Sequence, residues 1–222
     1  MMTMLLWRCP LCGTDDALQY TVRHFRPDHL TCSHCGALWE VRRVVGEDYQ
    51  LKVVAGEDAP VGLELPLAEW YDRMKAAFTF VPLEDHSLAV NDGEHIYTQC
   101  AEVPLIVRVG NPLLSDHSGR EAPQGPLPEE LTPEWGTVGL GQLYFTNERL
   151  IWEGPDKGYD FWWKNVYATF TWFVEIYGIM YGTTTYRFRL PGQSVLKWLT
   201  YSGELVKQIQ PSIPHHIRVS HY

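Results

Sequence analysis

Cys9-Pro10-Leu11-Cys12-Gly13 and Cys32-Ser33-His34-Cys35-Gly36 decide how the first quarter of the chain must fold. Each stretch puts two sulfurs on one tight turn, and nineteen residues separate the turns, a spacing that fits a four-cysteine metal pattern. A glycine after the second cysteine of each turn allows positive φ, so the backbone wraps an ion without a Cβ clash. Four thiolates at metal–sulfur distances of ~2.3 Å close a tetrahedron and leave no position for water, which describes a structural Zn²⁺ site rather than a catalytic one. Cys9, Cys12, Cys32 and Cys35 are therefore the expected ligands of one zinc ion. A redox dithiol is disfavoured because the motif occurs twice. A pair of disulfides is disfavoured because Met1 to Trp7 leaves no room for a signal peptide. His29 and His34 are read as bystanders, and Cys100 as a small hydrophobe in a core.

Outward from the knuckles, Leu18–Phe25 and Leu38–Val45 are rich in β-branched and aromatic residues, and Gly46-Glu47-Asp48 turns the chain into Tyr49–Val54. With these strands, residues 1–55 resemble a zinc ribbon. An acidic linker, residues 56–87, follows; it is punctuated by Gly and Pro as far as Pro66. Pro66 suits a first helical turn, and Leu67, Trp70, Tyr71, Met74 and Phe78 form one apolar stripe. That stripe must pack either on the ribbon or on what comes next.

From His95 the hydrophobic period approaches two. His95–Val109 and Gly136–Phe145 are strands separated by a proline-rich stretch, residues 110–135, read as a long exposed loop. Val166–Ile176 reads as one half-buried strand, with Val166, Ala168, Phe170 and Trp172 on one face and Tyr167, Thr169, Thr171 and Phe173 on the other. Both faces cannot point into one small barrel, so the face holding Tyr167 and Phe173 requires cover from elsewhere. Thr185–Leu190 alternates again. Val195, Trp198, Leu199, Ser202, Val206 and Ile209 mark a last helix between Pro191 and Pro211, weakened by Gly203 by ~1 kcal/mol relative to Ala. The expected class is α+β: a small β-rich ribbon, then an antiparallel β-barrel over residues 88–210 capped by a C-terminal helix, then a tail, residues 211–222.

Gly141-Gln142-Leu143-Tyr144-Phe145-Thr146-Asn147-Glu148-Arg149-Leu150-Ile151-Trp152 resembles the signature hairpin of GRAM domains, members of the pleckstrin-homology-like superfold. Thr146-Asn147 supplies its turn chemistry. Phe161 to Val166 and Tyr186-Arg187-Phe188 stand where that family has later strands. The resemblance implies a lipid- or protein-binding module without catalytic residues, and the fold alone does not choose between those ligands.

Composition fits a globular chain and argues against extended disorder: 45% of residues are hydrophobic, 20% are charged, and nine are tryptophans. The net charge of −9 is spread so that residues 1–55 balance six basic against six acidic groups, which argues against a strong nucleic-acid binder. Arg23, Arg26, Arg42 and Arg43 are the groups available to that alternative. Phosphoinositide binding is disfavoured because Arg108 and Arg120 are the basic residues between Val107 and Gly136, against five acidic ones. Gly136, Gly139 and Gly141 lack the Lys-Ser/Thr of a phosphate loop, Asp116-His117-Ser118 is a polar loop rather than a triad, and His215, His216 and His221 are a solvated tail. The expectation is a cytoplasmic zinc-binding adaptor whose barrel recognises a protein partner, with its oligomeric state unspecified.

Overall fold

The computed structural model describes residues 2–44, 49–108, 135–172, 175–182, 184–209 and 218–220. They divide into two compact units, Met1–Thr79 and Phe80–Tyr222.

The first unit opens with a single helical turn, α1 (Met2–Leu5), and then builds an antiparallel meander of β1 (Leu18–Thr21), β2 (Asp28–Cys32), β3 (Leu38–Arg43), β4 (Tyr49–Ala55) and β5 (Glu64–Pro66). The strand expected over Leu18–Phe25 stops at Thr21 because Asp28 gathers the turn. Its carboxylate accepts hydrogen bonds from the Tyr20 hydroxyl and the Arg23 N–H, while Phe25 takes φ 63° and faces solvent. The chain then returns as β2, a strand not expected from the sequence, to pair with both β1 and β3. The turn expected at Gly46-Glu47-Asp48 lies outside the described residues. β5, inside the stretch read as a solvated linker, extends the sheet by pairing Leu65 with Leu51.

The amphipathic stripe forms α2 (Leu67–Ala76), with Pro66 at its N-cap, Glu69 in its first turn and Arg73 and Lys75 in its last, the charge order that suits the helix dipole. It docks on the ribbon sheet. Trp70 and Met74 are fully buried, the Trp70 indole N–H donates to the Leu51 carbonyl at 3.1 Å, and its ring meets Trp39 edge-on at 6.0 Å. Beyond the helix, Phe78 packs edge-on against Trp7, and the buried Arg8 guanidinium covers Phe78, bonds Asp15 and donates to the Thr79 carbonyl.

In the second unit, β6 (Ile96–Arg108), β7 (Gly136–Thr146), β8 (Arg149–Glu153), β9 (Gly158–Trp162), β10 (Val166–Trp172), β11 (Ile176–Tyr181), β12 (Thr184–Arg189) and β13 (Arg218–Ser220) form one sheet in the order β13-β10-β11-β12-β6-β7-β8-β9. The meander turns back on itself, because β12 pairs with β6. No ladder among the described residues joins the outermost strands, so the closure expected of a barrel is not seen among them. The proline-rich loop read over residues 110–135 lies outside the described residues except for Trp135.

The expected single strand Val166–Ile176 is a hairpin, with β10 ending at Trp172, a turn at Glu175 and β11 beginning at Ile176. A register shift between Val166 and Ala168 explains the two apolar faces: Val166 is buried before it and Thr171 after it, so the inward set changes parity. Tyr167, on the shift, is exposed; Phe173 lies outside the described residues. β6 behaves alike, with Glu102 at φ 56° moving the buried set from Ile96, Thr98 and Cys100 to Val103, Leu105 and Val107.

α3 (Val195–Ile209) packs Trp198, Tyr201, Ser202 and Leu205 inward, whereas Ile209 is exposed. Its rings meet those of the sheet: Phe145 lies 5.5 Å from Tyr201 and 6.1 Å from Trp198, and the Tyr177 hydroxyl donates to Ser202. The expected Thr146-Asn147 turn joins β7 to β8, with the Thr146 hydroxyl accepting from the N–H groups of Glu148 and Arg149. Gly141 leaves room for its neighbour across the ladder: a Cβ there would sit 2.3 Å from the Glu153 carbonyl oxygen and 2.6 Å from the Trp152 ring. The glycine-rich stretch is thus strand punctuation around a buried tryptophan.

Candidate metal centre

Two turns with the same hydrogen-bond pattern carry the four cysteines. In the first, the Gly13 N–H donates to the Cys9 carbonyl at 2.9 Å and the Cys9 N–H to the Thr14 carbonyl at 2.9 Å. In the second, Gly36 donates to Cys32 at 3.0 Å and Cys32 to Ala37 at 2.8 Å. Gly13 and Gly36 take φ 74° and 68°, the left-handed conformation expected of them. The turns are tied together by Ser33, whose N–H and hydroxyl both donate to the Ala17 carbonyl, at 2.8 and 3.1 Å.

This scaffold brings the Sγ atoms of Cys9, Cys12, Cys32 and Cys35 within 4.8 Å of one another. Cys9 and Cys35 lie 3.8 Å apart, and Cys12 and Cys32 3.7 Å. A tetrahedral ion with sulfur ligands at ~2.3 Å has edges of ~3.8 Å, so these sulfurs are spaced to hold one metal ion. Cys9 and Cys32 are buried, Cys35 is half-buried and Cys12 is exposed. Neither nearby histidine joins the cluster: His29 is engaged by the Arg23 guanidinium at 2.8 Å, and His34 is exposed.

The thiols are electrostatically unequal. Burial pushes the Cys9 and Cys35 thiols up, whereas at Cys12 the hydroxyl and backbone of Thr14, with Cys9 and Cys35, outweigh burial and bring it down to about 6. Binding a metal ion here is coupled to loss of thiol protons.

The second unit holds a different polar cluster. Glu94, with its side chain fully enclosed, accepts from Arg149 at 3.0 Å and from the Thr146 hydroxyl at 2.7 Å, while Arg149 also pairs with Asp160 at 2.8 Å. Burial raises the Glu94 carboxyl, and its bonds to Arg149, Thr146 and the Asn91 N–H outweigh that and hold it below the usual carboxylate range. Together with Asn147, which bonds the Gly93 carbonyl and the His95 N–H, the cluster straps residues 83–95 across β6, β7 and β8; there Leu83, Leu88 and Val90 cover Ile96, Tyr144 and Ile151. Sequence reading missed this network because Glu94 and Arg149 are distant in the chain. The Asn-Asp-Gly-Glu turn at 91–94 carries no signal beyond a loop.

Asp116-His117-Ser118 and the tail histidines His215, His216 and His221 lie outside the described residues. No described helix is long and apolar enough to cross a membrane. Neither models of known protein families nor curated protein sequences match the chain.

Proposed function

We propose that this protein is a non-enzymatic adaptor in which Zn²⁺ stabilises the ribbon and a GRAM-like, pleckstrin-homology-like second unit recognises a protein partner in the cytoplasm. The observation that carries the reading is the closed cage of four sulfurs. Four thiolates saturate a tetrahedral ion, so the metal serves as a structural member with no site for substrate. Zinc is the natural occupant, because it accepts four soft ligands in a tetrahedron without redox change.

The GRAM-like reading is supported by an antiparallel meander whose last strand returns to its first, followed by one amphipathic helix, and by the Thr146-Asn147 turn. A protein ligand is favoured over a lipid head group because, among the described residues, the arginines of β6 and β12 each have a partner. Arg187 stacks on the Trp135 ring with its Cζ 3.4 Å from the centroid, Arg108 approaches the same ring, and Arg189 pairs with Glu175 at 2.9 Å. The nucleic-acid alternative rests on ribbon arginines, of which Arg42 is paired with Glu40 and Arg23 with His29.

Liposome sedimentation tests the choice. Vesicles with and without phosphoinositides leave the protein equally in the supernatant if the reading is right. Binding that rises with anionic lipid and falls with salt overturns it in favour of a membrane ligand.

A further inference from the structure

Strand β10 reads Val166-Tyr167-Ala168-Thr169-Phe170-Thr171-Trp172: seven residues, all but Ala168 of high β propensity, with no charge and no proline. Exposed edges usually carry such devices to prevent unwanted pairing. The opposite edge strand, β9, is shorter, carries Asp160 in its middle and is flanked by Lys157 and Lys164. β10 is guarded in another way. The C-terminal strand Arg218–Ser220 lies alongside it in parallel, with Phe170 opposite Arg218, Thr171 opposite Val219 and Trp172 opposite Ser220. Among the described residues three pairs cover less than half of the strand, and parallel pairing is the weaker kind per residue. Towards Val166 no described residue lies alongside the strand, and there Tyr167 and Met180, which is opposite Ala168, are exposed.

From the uncharged edge and the short strand seated on it, we propose that β10 is a docking site for an extended polypeptide, which adds as a strand in place of the chain's own residues 218–220. The proposal deepens the protein-partner reading above by naming where and how that partner binds. Main-chain hydrogen bonds to the edge supply affinity, and alternate side chains of the incoming strand meet the uncharged row of β10, so the ligand is a β-branched, apolar segment rather than an acidic or phosphorylated one. The C-terminal strand then acts as an internal competitor, present at an effective concentration set by the short segment that tethers it to α3.

The test uses the full chain and a fluorescent peptide with the sequence of residues 214–222. Val219→Pro in the chain removes the backbone donor at the middle of the guard strand and leaves β10 intact. The variant is expected to bind the peptide roughly tenfold more tightly than the wild type, because the tethered competitor is released. Binding protects from hydrogen exchange those amides of Phe170, Thr171 and Trp172 that point away from β11, and a peptide carrying the same Val→Pro change does not bind. Equal affinity for both chains, no binding to the variant at millimolar peptide, or protection appearing away from β10 overturns the proposal. Failure of the peptide together with continued exclusion from anionic vesicles removes this docking mode while leaving the protein-partner reading standing. Vesicle binding removes that reading itself.

Discussion

Replacing Trp70 with alanine probes how far the first unit depends on packing as well as on metal. Trp70 is fully buried between β4 and Trp39, and its indole N–H satisfies the Leu51 carbonyl. Truncating a buried tryptophan costs about 3–5 kcal/mol, from lost transfer free energy and the cavity left behind. A unit of the size of Met1–Thr79 has a total stability of about 4–12 kcal/mol, so Trp70→Ala removes a large share of it. At about 4–8 °C per kcal/mol for a domain of this size, the unit should melt at least ~12 °C lower. Trp70→Phe separates the two contributions, since it retains most of the ring but loses the donor, at a cost of ~1–3 kcal/mol for the orphaned carbonyl. Thermal unfolding of zinc-loaded protein, followed by hydrogen exchange so that each unit is read separately, measures both. The packing argument fails if Trp70→Ala leaves the first unit's midpoint unchanged, or if the loss appears instead in the second unit.

Glu94→Gln should destabilise the second unit by ~3–5 kcal/mol at neutral pH, because it leaves the buried side of Arg149 without its carboxylate. The Glu94 pKa is depressed by folding, so its stabilisation is complete above the unfolded value of ~4.3 and disappears as pH falls through the lower folded value. The gap between wild type and variant in denaturant titrations should therefore narrow only below about pH 4; a gap already closed near pH 6 contradicts this assignment. Gly141→Ala forces a Cβ against the Glu153 carbonyl and the Trp152 ring, and should cost more than the ~1–3 kcal/mol of ordinary overpacking because the backbone oxygen cannot swing aside. A neutral midpoint shift for that variant would show that the β7–β8 ladder relaxes.

The parts legible in the sequence are those whose signals are local. The knuckles are fixed by Cys-x-x-Cys-Gly because the turn, the two sulfurs and the positive φ all lie within five residues. α2 and α3 follow from their periodicity, and Tyr186, Phe188 and Leu190 alternate inward as read. The missed features depend on long-range or side-chain-to-backbone contacts. Asp28 reaches back to Tyr20 and Arg23 to end β1, and β5 exists because Leu51 offers an edge to Leu65. The bulge at Tyr167 shifts the strand by one residue, which period-two reading converts into a false second face. For the same reason the strand was read too long: the β10–β11 turn contains neither glycine nor proline to mark it. The strap over Ile96, Tyr144 and Ile151 was invisible because its stabilising groups, Glu94 and Arg149, meet only in the fold.

The central claim is that one zinc ion, held by Cys9, Cys12, Cys32 and Cys35, is a structural part of the first unit. Metal analysis by mass spectrometry of protein purified without chelator, before and after chelation, with hydrogen exchange followed in both units, tests it most directly. The account predicts about one zinc per chain and loss of exchange protection across β1–β4 on chelation, with the second unit unchanged. It also predicts that zinc is lost in Cys32→Ser and retained in His34→Ala. A stoichiometry near zero, metal loss in His34→Ala with retention in Cys32→Ser, or a first unit indifferent to chelation would contradict it.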